Sequence, residues 1–170
     1  VFDFSKVFDS VPYQRLLAKL NHYGIRGKNL QWLSYFLLDR KRRVVLNGSN
    51  SSWSPVISGV PQGTVLGPLL FLLYINDIVD NVTSQVRLFA DDCILYREIN
   101  TSADVLALQR DVDSFENWAR SWQMSFNSKK CHSVTITRRR KQIASIRVPS
   151  WLSSFTKTRR LYIFGSYNNF

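Results

Sequence analysis

The chain has 170 residues, which is enough for one domain with a substantial hydrophobic core but short for two. Hydrophobic residues make up 45% and aromatic residues 14% of the sequence, a composition that excludes an intrinsically disordered protein. With 23 Lys and Arg against 12 Asp and Glu, the formal net charge is +11. Such a charge favours a polyanionic partner over a merely solvated basic surface.

The positive charge is clustered rather than spread evenly. One run spans residues 138–141, and a looser group comprises Lys157, Arg159 and Arg160. The run nearest the N-terminus is proposed to contact nucleic-acid phosphates, and it consists of Arg40, Lys41, Arg42 and Arg43.

Cysteine usage and hydropathy indicate the cellular compartment. Cys93 and Cys131 are the two cysteines, neither has zinc-ligand spacing, and we expect both to be reduced, buried thiols. No signal-peptide pattern is visible, and the longest apolar run, residues 65–75, contains Gly67 and Pro68 and is too short for a bilayer. The sequence therefore predicts an intracellular protein, in the nucleus or cytoplasm, that is not secreted and has no membrane partner. It gives no indication of the oligomeric state.

The first half of the chain is predicted to contain two strands and two helices. Residues 1–4 are typical of a strand end that carries Asp3. A helix is predicted between Pro12 and Gly24, and a second one through residues 30–37. A short strand at 44–46 is followed by a polar stretch, Ser49 to Ser54, which we expect to be a loop.

The second half is predicted to begin with a turn rich in Gly and Pro at residues 59–67, followed by a helix at 69–79. Residues 86–96 indicate a β-hairpin with Asp91 and Asp92 at its tip, and a further strand is expected at 133–137. Interleaved strands and helices of this kind predict an α+β fold, an antiparallel sheet with helices packed on one face.

A long helix is predicted from Thr101, where Asp104 three residues later completes a pattern similar to a capping box. Asp104, Arg110, Asp111 and Arg120 fall outside its apolar stripe. The stripe recurs at intervals of three and four residues and comprises Val105, Leu108, Val112, Phe115, Ala119 and Trp122.

Asp91 and Asp92 are adjacent carboxylates in the middle of an apolar, strand-rich segment. Ionised groups repel each other and resist burial, so such a pair favours a bound cation, and carboxylates suit Mg²⁺. If the first strand pairs with this hairpin, Asp3 supplies a third carboxylate. Two Mg²⁺ ions about 3.5–4 Å apart could then activate a 3′-hydroxyl and stabilise a leaving pyrophosphate. Taken singly, Asp3 is more often a cap or surface charge, and many surface turns carry an Asp-Asp pair.

Four motifs occur in a characteristic order: residues 2–12, residues 59–78, Phe89-Ala90-Asp91-Asp92, and residues 118–131. In this order they resemble the reverse transcriptase domain of non-LTR (LINE-type) retrotransposons, most like the jockey and CR1 groups. The resemblance implies a polymerase palm with part of the fingers and an RNA-directed DNA polymerase activity in retrotransposition. It also implies two Mg²⁺ ions, with Mn²⁺ as the alternative, and an RNA template, a DNA primer and dNTPs as partners.

The resemblance assigns Asp3, Asp91 and Asp92 as catalytic metal ligands. It also assigns Lys130 as a general acid on the pyrophosphate. A plain phosphate contact or a solvated side chain remains an equal alternative for this lysine.

The same resemblance places three substrate-binding residues in the first two motifs. Phe8 corresponds to the gate that crowds a ribose 2′-hydroxyl and favours deoxynucleotides, whereas without the motif it would be an ordinary core aromatic. Gln62 and Gly63 correspond to residues placed against the nucleotide or the template, because glycine lets the backbone approach a substrate. The alternative is that the second motif forms a loop followed by a helix and binds no substrate.

Two departures from the family pattern concern the ends of the match. The fingers segment that precedes the first motif is not found in these residues, and we expect little polymerase activity from them alone. After the fourth motif the family has the sequence Tyr-Leu-Gly-Val, whereas residues 162–167 of this chain are Tyr-Ile-Phe-Gly-Ser-Tyr. With suitable codons, a shift of the reading frame by one base would turn residues 163–167 into Tyr-Leu-Gly-Val. Residues 1–140 are therefore interpreted as the reverse transcriptase palm core, and 141–170 as a tail that a frameshift would explain.

Other readings remain open. A group II intron maturase and a viral RNA-directed RNA polymerase share the palm, but residues 61–68 fit LINE elements better and Phe8 argues against ribonucleotides. The alternative that is not an enzyme is the product of a decayed genomic copy, which would only bind nucleic acid. All three carboxylates are nevertheless present.

Overall fold

The computed structural model describes residues 1–137 and 159–162. They divide into two compact units. Unit 1 contains Val1–Phe4, Val79–Trp118 and the described residues from Ser125 onward, and unit 2 contains Ser5–Ile78 and Ala119–Met124. The predicted domain boundary near residue 140 and the basic run at 138–141 lie outside the described residues.

Short strands and helices alternate along the described chain, which confirms the mixed α+β class. A 3-10 turn, Asn76–Val79, follows the fourth helix. In chain order the elements are β1 (Phe2–Asp3), α1 (Val7–Ser10), α2 (Tyr13–His22), α3 (Gly27–Leu37), β2 (Lys41–Arg42), β3 (Val45–Leu46), β4 (Ser49–Asn50), β5 (Ser54–Pro55), α4 (Leu66–Ile75), β6 (Gln85–Phe89), β7 (Asp92–Tyr96), α5 (Ser102–Ser121), β8 (Val134–Thr137) and β9 (Arg159–Tyr162).

An antiparallel sheet with the strand order β1-β7-β6 organises unit 1. β1 pairs with β7 so that Phe2 lies opposite Cys93, and both residues are buried. The ring of Phe2 lies 5.3 Å from that of Phe115 on α5, so this helix covers the face of the sheet that carries Phe2. The predicted packing of a helix on one face is confirmed.

The capping pattern and the apolar stripe of α5 are confirmed. The Asp104 carboxylate accepts hydrogen bonds from the backbone and hydroxyl of Thr101, both at 2.8 Å. Placing Asp111 outside the buried stripe was wrong, because its carboxylate is buried and accepts hydrogen bonds from Thr83 and Ser84. Burial alone would raise the pKa of Asp111, but these hydrogen bonds outweigh it and hold the pKa below its ordinary value. The residues confirmed as buried are Leu108, Val112, Phe115 and Ala119.

Three helices form the core of unit 2. Lys19 on α2 is buried, and its ammonium contacts the Tyr74 carbonyl and the Asp77 carboxylate and lies over the ring of Trp122. A buried lysine is tolerated when it is paired in this way. The largest fully buried side chains of this unit are Leu16, Leu20, Leu37, Leu70, Phe71 and Tyr74.

The prediction of a polar loop over Ser49 to Ser54 holds only for residues 51–53, because Ser49 and Asn50 form β4 and Ser54 begins β5. β3 pairs with β4 and β2 pairs with β5, so residues 41–55 form one nested hairpin closed by Asn47-Gly48. Asn-Gly between two strands is a strong hairpin signal, and here it prevails over the weak strand propensity of the serines. Every residue of this hairpin is exposed.

The strand predicted at 133–137 is confirmed as β8. It pairs in parallel with β9, from Val134 opposite Arg159 to Thr137 opposite Tyr162. Within the described ranges, no helix combines the length and apolarity needed to cross a bilayer.

Candidate active site

Asp3 lies between β7 on one edge of β1 and residues 127–131 on the other. It lies directly opposite Asp92 on β7. On the other edge its carbonyl accepts a hydrogen bond from the Asn127 amide at 2.7 Å, and its amide donates to Sγ of Cys131 at 3.3 Å. These contacts fix the first motif between the third and the fourth.

The Asp3 carboxylate is buried but incompletely satisfied. Its Oδ2 lies 3.2 Å from Nζ of Lys130, whose side chain is 64% exposed. Its Oδ1 is buried and has no hydrogen-bond partner among the described residues. An unpartnered buried carboxylate oxygen is costly, and a cation at this position would remove the cost.

Asp92 and Asp91 occupy different positions at the hairpin. Asp92 is the first residue of β7 and Asp91 belongs to the two-residue turn, so the prediction that both lie at the tip is half right. Directly opposite residues in an antiparallel pair share a face, with Cβ atoms about 4.5–5.5 Å apart, and like charges there are destabilising. Asp3 and Asp92 are in this relation. Ala90 completes the turn with φ 51°, a left-handed conformation that is unusual for alanine.

The two facing carboxylates and the free Oδ1 of Asp3 suit a hard divalent cation, which prefers oxygen ligands. Among the residues that the structure describes, however, no three His, Cys, Asp or Glu side chains are grouped closely enough to hold a metal. The Asp3 carboxylate contacts Lys130 instead. Joint metal binding by Asp3, Asp91 and Asp92 therefore stays a prediction.

Two buried thiols lie on either side of β1. Cys93 and Cys131 are free, as expected from the sequence. Burial raises the pKa of Cys93 to about 12 and also raises the pKa of Cys131. Both thiols are therefore neutral at physiological pH and serve as packing groups rather than ligands.

In unit 2 the first and second motifs contact each other through Phe8 and Gln62. The half-buried Phe8 ring lies 5.1 Å from that of Phe71, and its carbonyl accepts a hydrogen bond from the Val60 amide at 2.7 Å. Nε2 of Gln62 donates to Oδ1 of Asp9 at 3.0 Å. The sequence analysis did not identify Asp9 as the hydrogen-bond partner of Gln62. Its position directly after Phe8 could have suggested it.

A close backbone approach explains Gly59 of the second motif. A Cβ added to Gly59 would lie 2.6 Å from the carbonyl oxygen of Phe8, and the φ of Gly59 is +90°. Glycine is required on both counts. Gly63 also has a positive φ of +75°, but a Cβ there would meet nothing within 4 Å.

Arg40 differs from the three basic residues that follow it. Its guanidinium donates to the Tyr13 hydroxyl at 2.8 Å, to the Gly59 carbonyl at 2.7 Å and to the Leu37 carbonyl at 3.1 Å. Arg40 therefore holds the base of the hairpin in place. The run of basic residues in the sequence did not reveal this structural role. The residues left exposed for a phosphate are Lys41, Arg42 and Arg43, of which Arg43 lies 4.7 Å from the ring of Trp53.

Comparison with known proteins matches residues 1–160 to the family model of the reverse transcriptase (RNA-dependent DNA polymerase). The RNA-directed DNA polymerase from mobile element jockey of Drosophila melanogaster is 33% identical over 146 residues, 81% of this chain and 16% of that protein. The corresponding jockey protein of Drosophila funebris is 30% identical over 163 residues, 91% of this chain and 18% of that protein. The probable RNA-directed DNA polymerase from transposon X-element of Drosophila melanogaster is 32% identical over 145 residues, 82% of this chain and 16% of that protein. The chain thus spans about a sixth of the length of these curated relatives.

Proposed function

Because the chain belongs to the reverse transcriptase family, we propose that it supplies the catalytic palm of an RNA-directed DNA polymerase from a non-LTR retrotransposon. The observation that carries this proposal is the pairing of Asp3 with Asp92 on one face of the sheet, next to the Ala90-Asp91 turn. The pairing joins the first and third motifs. A palm of this kind extends a DNA primer on an RNA template with dNTPs, inside the cell.

The family generally uses divalent metal ions. We propose that Asp3, Asp91 and Asp92 hold two Mg²⁺ ions, for which Mn²⁺ could substitute. The buried, unpartnered Oδ1 of Asp3 supports this assignment. When bound, such ions lower the pKa of a primer 3′-hydroxyl and neutralise charge on the leaving pyrophosphate.

Lys130 is proposed to deliver a proton to the leaving pyrophosphate. Its ammonium lies beside the Asp3 carboxylate while most of the side chain is exposed, so it can meet a phosphate oxygen from solvent. An ammonium next to phosphates is suited both to proton donation and to charge stabilisation.

Phe8 and Gln62 are proposed to select and hold the nucleotide. The ring of Phe8 is fixed against Phe71, and its backbone is fixed by Val60, so a rigid aromatic edge can exclude a 2′-hydroxyl. Residues 41–43 of the exposed hairpin are proposed to contact template or primer phosphates, a contact that weakens as salt concentration rises.

Primer extension by an intact polymerase that contains this chain tests the proposal. Asp91→Asn is expected to reduce dNTP incorporation about a thousandfold, because a metal ligand is lost. Asp113→Asn, the same chemical change at an exposed position on α5, is the matched control and should leave the rate unchanged. Full activity of Asp91→Asn, or a preference for NTPs over dNTPs, would contradict the proposal.

A further inference from the structure

A hydrogen bond between Asp9 and Gln62 joins the first motif to the second within unit 2. Nε2 of Gln62 donates to Oδ1 of Asp9 at 3.0 Å, and both residues are exposed. An exposed carboxylate repels the phosphates of a nucleotide, so it is unfavourable beside Gln62 unless it has another effect there. The contact with the Gln62 amide supplies such an effect.

The backbone of Asp9 is held independently of its side chain. Its amide donates to the Lys6 carbonyl at 2.9 Å, and its carbonyl accepts a hydrogen bond from the Ser58 hydroxyl at 2.7 Å. Gly59 packs directly on this backbone, because a Cβ added to Gly59 would lie 2.7 Å from Cα of Asp9. The carboxylate is therefore presented to Gln62 from a fixed position, and a substitution that alters only the side chain leaves these contacts in place.

The turn that carries Gln62 is also held by contacts that do not involve the Gln62 side chain. The Thr64 hydroxyl donates to the Pro61 carbonyl at 2.7 Å and accepts a hydrogen bond from the Gly67 amide at 3.1 Å. Because both backbones are held in other ways, the bond between the two side chains acts chiefly on the orientation of the Gln62 amide.

The two ends of a glutamine amide have almost the same shape but opposite hydrogen-bonding character, since the nitrogen donates and the oxygen accepts. An ionised carboxylate only accepts. Asp9 therefore bonds Nε2 of Gln62 and repels Oε1, which favours one of the two orientations of the amide. In that orientation Oε1 is the end turned away from Asp9.

We propose that Asp9 is a positioning residue, which turns the Gln62 amide so that Oε1 accepts a hydrogen bond from an O–H or N–H group of the incoming nucleotide. The inference rests on the proposed function, which places Gln62 against the nucleotide. Without the carboxylate both orientations of the amide become accessible, and one of them presents a donor to a donor. Affinity for the nucleotide then falls.

The orientation is tested without nucleotide, by NMR of the glutamine side-chain amides in the 170-residue chain. The matched control is a second pair, on α5, in which Nε2 of Gln109 donates to Oδ1 of the exposed Asp113 at 2.9 Å. Asp9→Asn should move the bonded Nε2 proton of Gln62 upfield and leave that of Gln109 in place, and Asp113→Asn should do the reverse. An unchanged Gln62 signal in Asp9→Asn would overturn the inference, whether or not the chain acts as a polymerase.

Steady-state kinetics of an intact polymerase that contains this chain measure the consequence for the nucleotide. Asp9→Asn should raise the KM for dNTP about three- to tenfold with kcat nearly unchanged, because the contact is made equally in the ground state and the transition state. A variant that merely disturbed the fold would lower kcat instead.

The double variant Asp9→Asn with Gln62→Glu exchanges the carboxylate and the amide. The new amide can donate to the new carboxylate, whose second oxygen still accepts from the nucleotide, so KM should be lower than in either single variant. A loss of kcat in Asp9→Asn, or additive losses in the double variant, would overturn the inference. A failure of the proposed function would appear separately, as absent incorporation by the unaltered polymerase.

Discussion

Nζ of Lys130 lies 3.2 Å from Oδ2 of Asp3, so the first of the three carboxylates has a cationic partner without any metal. The pair joins the first motif to the fourth, and the backbone bonds of Asp3 to Asn127 and Cys131 hold both segments in place. The ammonium and a divalent cation would compete for the same carboxylate. Loading of the metal would release Lys130 toward phosphate.

The first prediction concerns this competition. Lys130→Ala should tighten Mn²⁺ binding to the chain several-fold, because the competing charge is removed, and the effect should shrink with salt. Mn²⁺ affinity is measured by electron paramagnetic resonance. The control is Lys129→Ala, an exposed neighbour with the same charge change. If both variants shift the affinity equally, the direct contact has no role.

The second prediction concerns the close approach at Gly59. Gly59→Ala should destabilise the chain by more than about 3 kcal/mol, since the new Cβ meets the Phe8 carbonyl and φ is strained. Gly63→Ala carries the φ strain without the clash, and about 1–2 kcal/mol is expected. Urea unfolding measures both. Similar losses of stability in the two variants would contradict the close contact between Gly59 and the Phe8 carbonyl.

The third prediction concerns the turn next to Asp91. Ala90→Gly should stabilise the chain by about 1 kcal/mol, because glycine adopts a positive φ without steric cost. Ala103→Gly, at an exposed position in the first turn of α5, should instead destabilise it by about 0.5–1 kcal/mol. A loss of stability in Ala90→Gly would mean that the turn is unstrained.

The fourth prediction separates structure from nucleic-acid binding within the basic run. Arg40→Ala should lower stability by about 2–3 kcal/mol, because the Gly59 carbonyl and the Tyr13 hydroxyl lose their donor. Lys41→Ala, on the exposed hairpin, should stay within about 0.5 kcal/mol but weaken binding to primer–template. Thermal unfolding and anisotropy measure the two effects. A stable Arg40→Ala variant would contradict the anchoring role.

The fifth prediction follows from the raised pKa of Cys93. An unfolded thiol ionises near pH 9 and the folded one at about 12, so the stability that this group contributes is complete below about 9. It is lost as the pH rises toward 12. Cys93→Ala should therefore lose less stability than the unaltered chain between pH 9 and 11, by urea unfolding at each pH. In the folded chain, iodoacetamide at pH 8.5 should leave Cys93 unmodified.

Part of the site could be predicted from the sequence because its motifs are recognisable one by one. The convergence of Asp3 with Asp91 and Asp92 was expected on the condition that the first strand pairs with the hairpin, and the register shows Asp3 opposite Asp92. The apolar stripe of α5 followed from its 3.6-residue period.

The features that the sequence did not reveal depend on partners distant along the chain. Asp111 is buried because Thr83 and Ser84 donate to it across the unit, and nothing in the helical pattern marks that. Arg40 looks like its neighbours in a basic run until Tyr13 and Gly59 are placed beside it. Residues 49–55 have weak strand propensity, and their strands form because the Asn-Gly turn folds them back.

The most direct test of the central claim, that Asp3, Asp91 and Asp92 form one metal site, is paramagnetic broadening of backbone amide signals by Mn²⁺ in the 170-residue chain. We predict broadening that centres on Asp3, on residues 90–93 and on Lys130, and that Asp92→Asn abolishes while Asp113→Asn preserves it. Broadening centred elsewhere, or unchanged in Asp92→Asn, would contradict the assignment of these carboxylates as metal ligands.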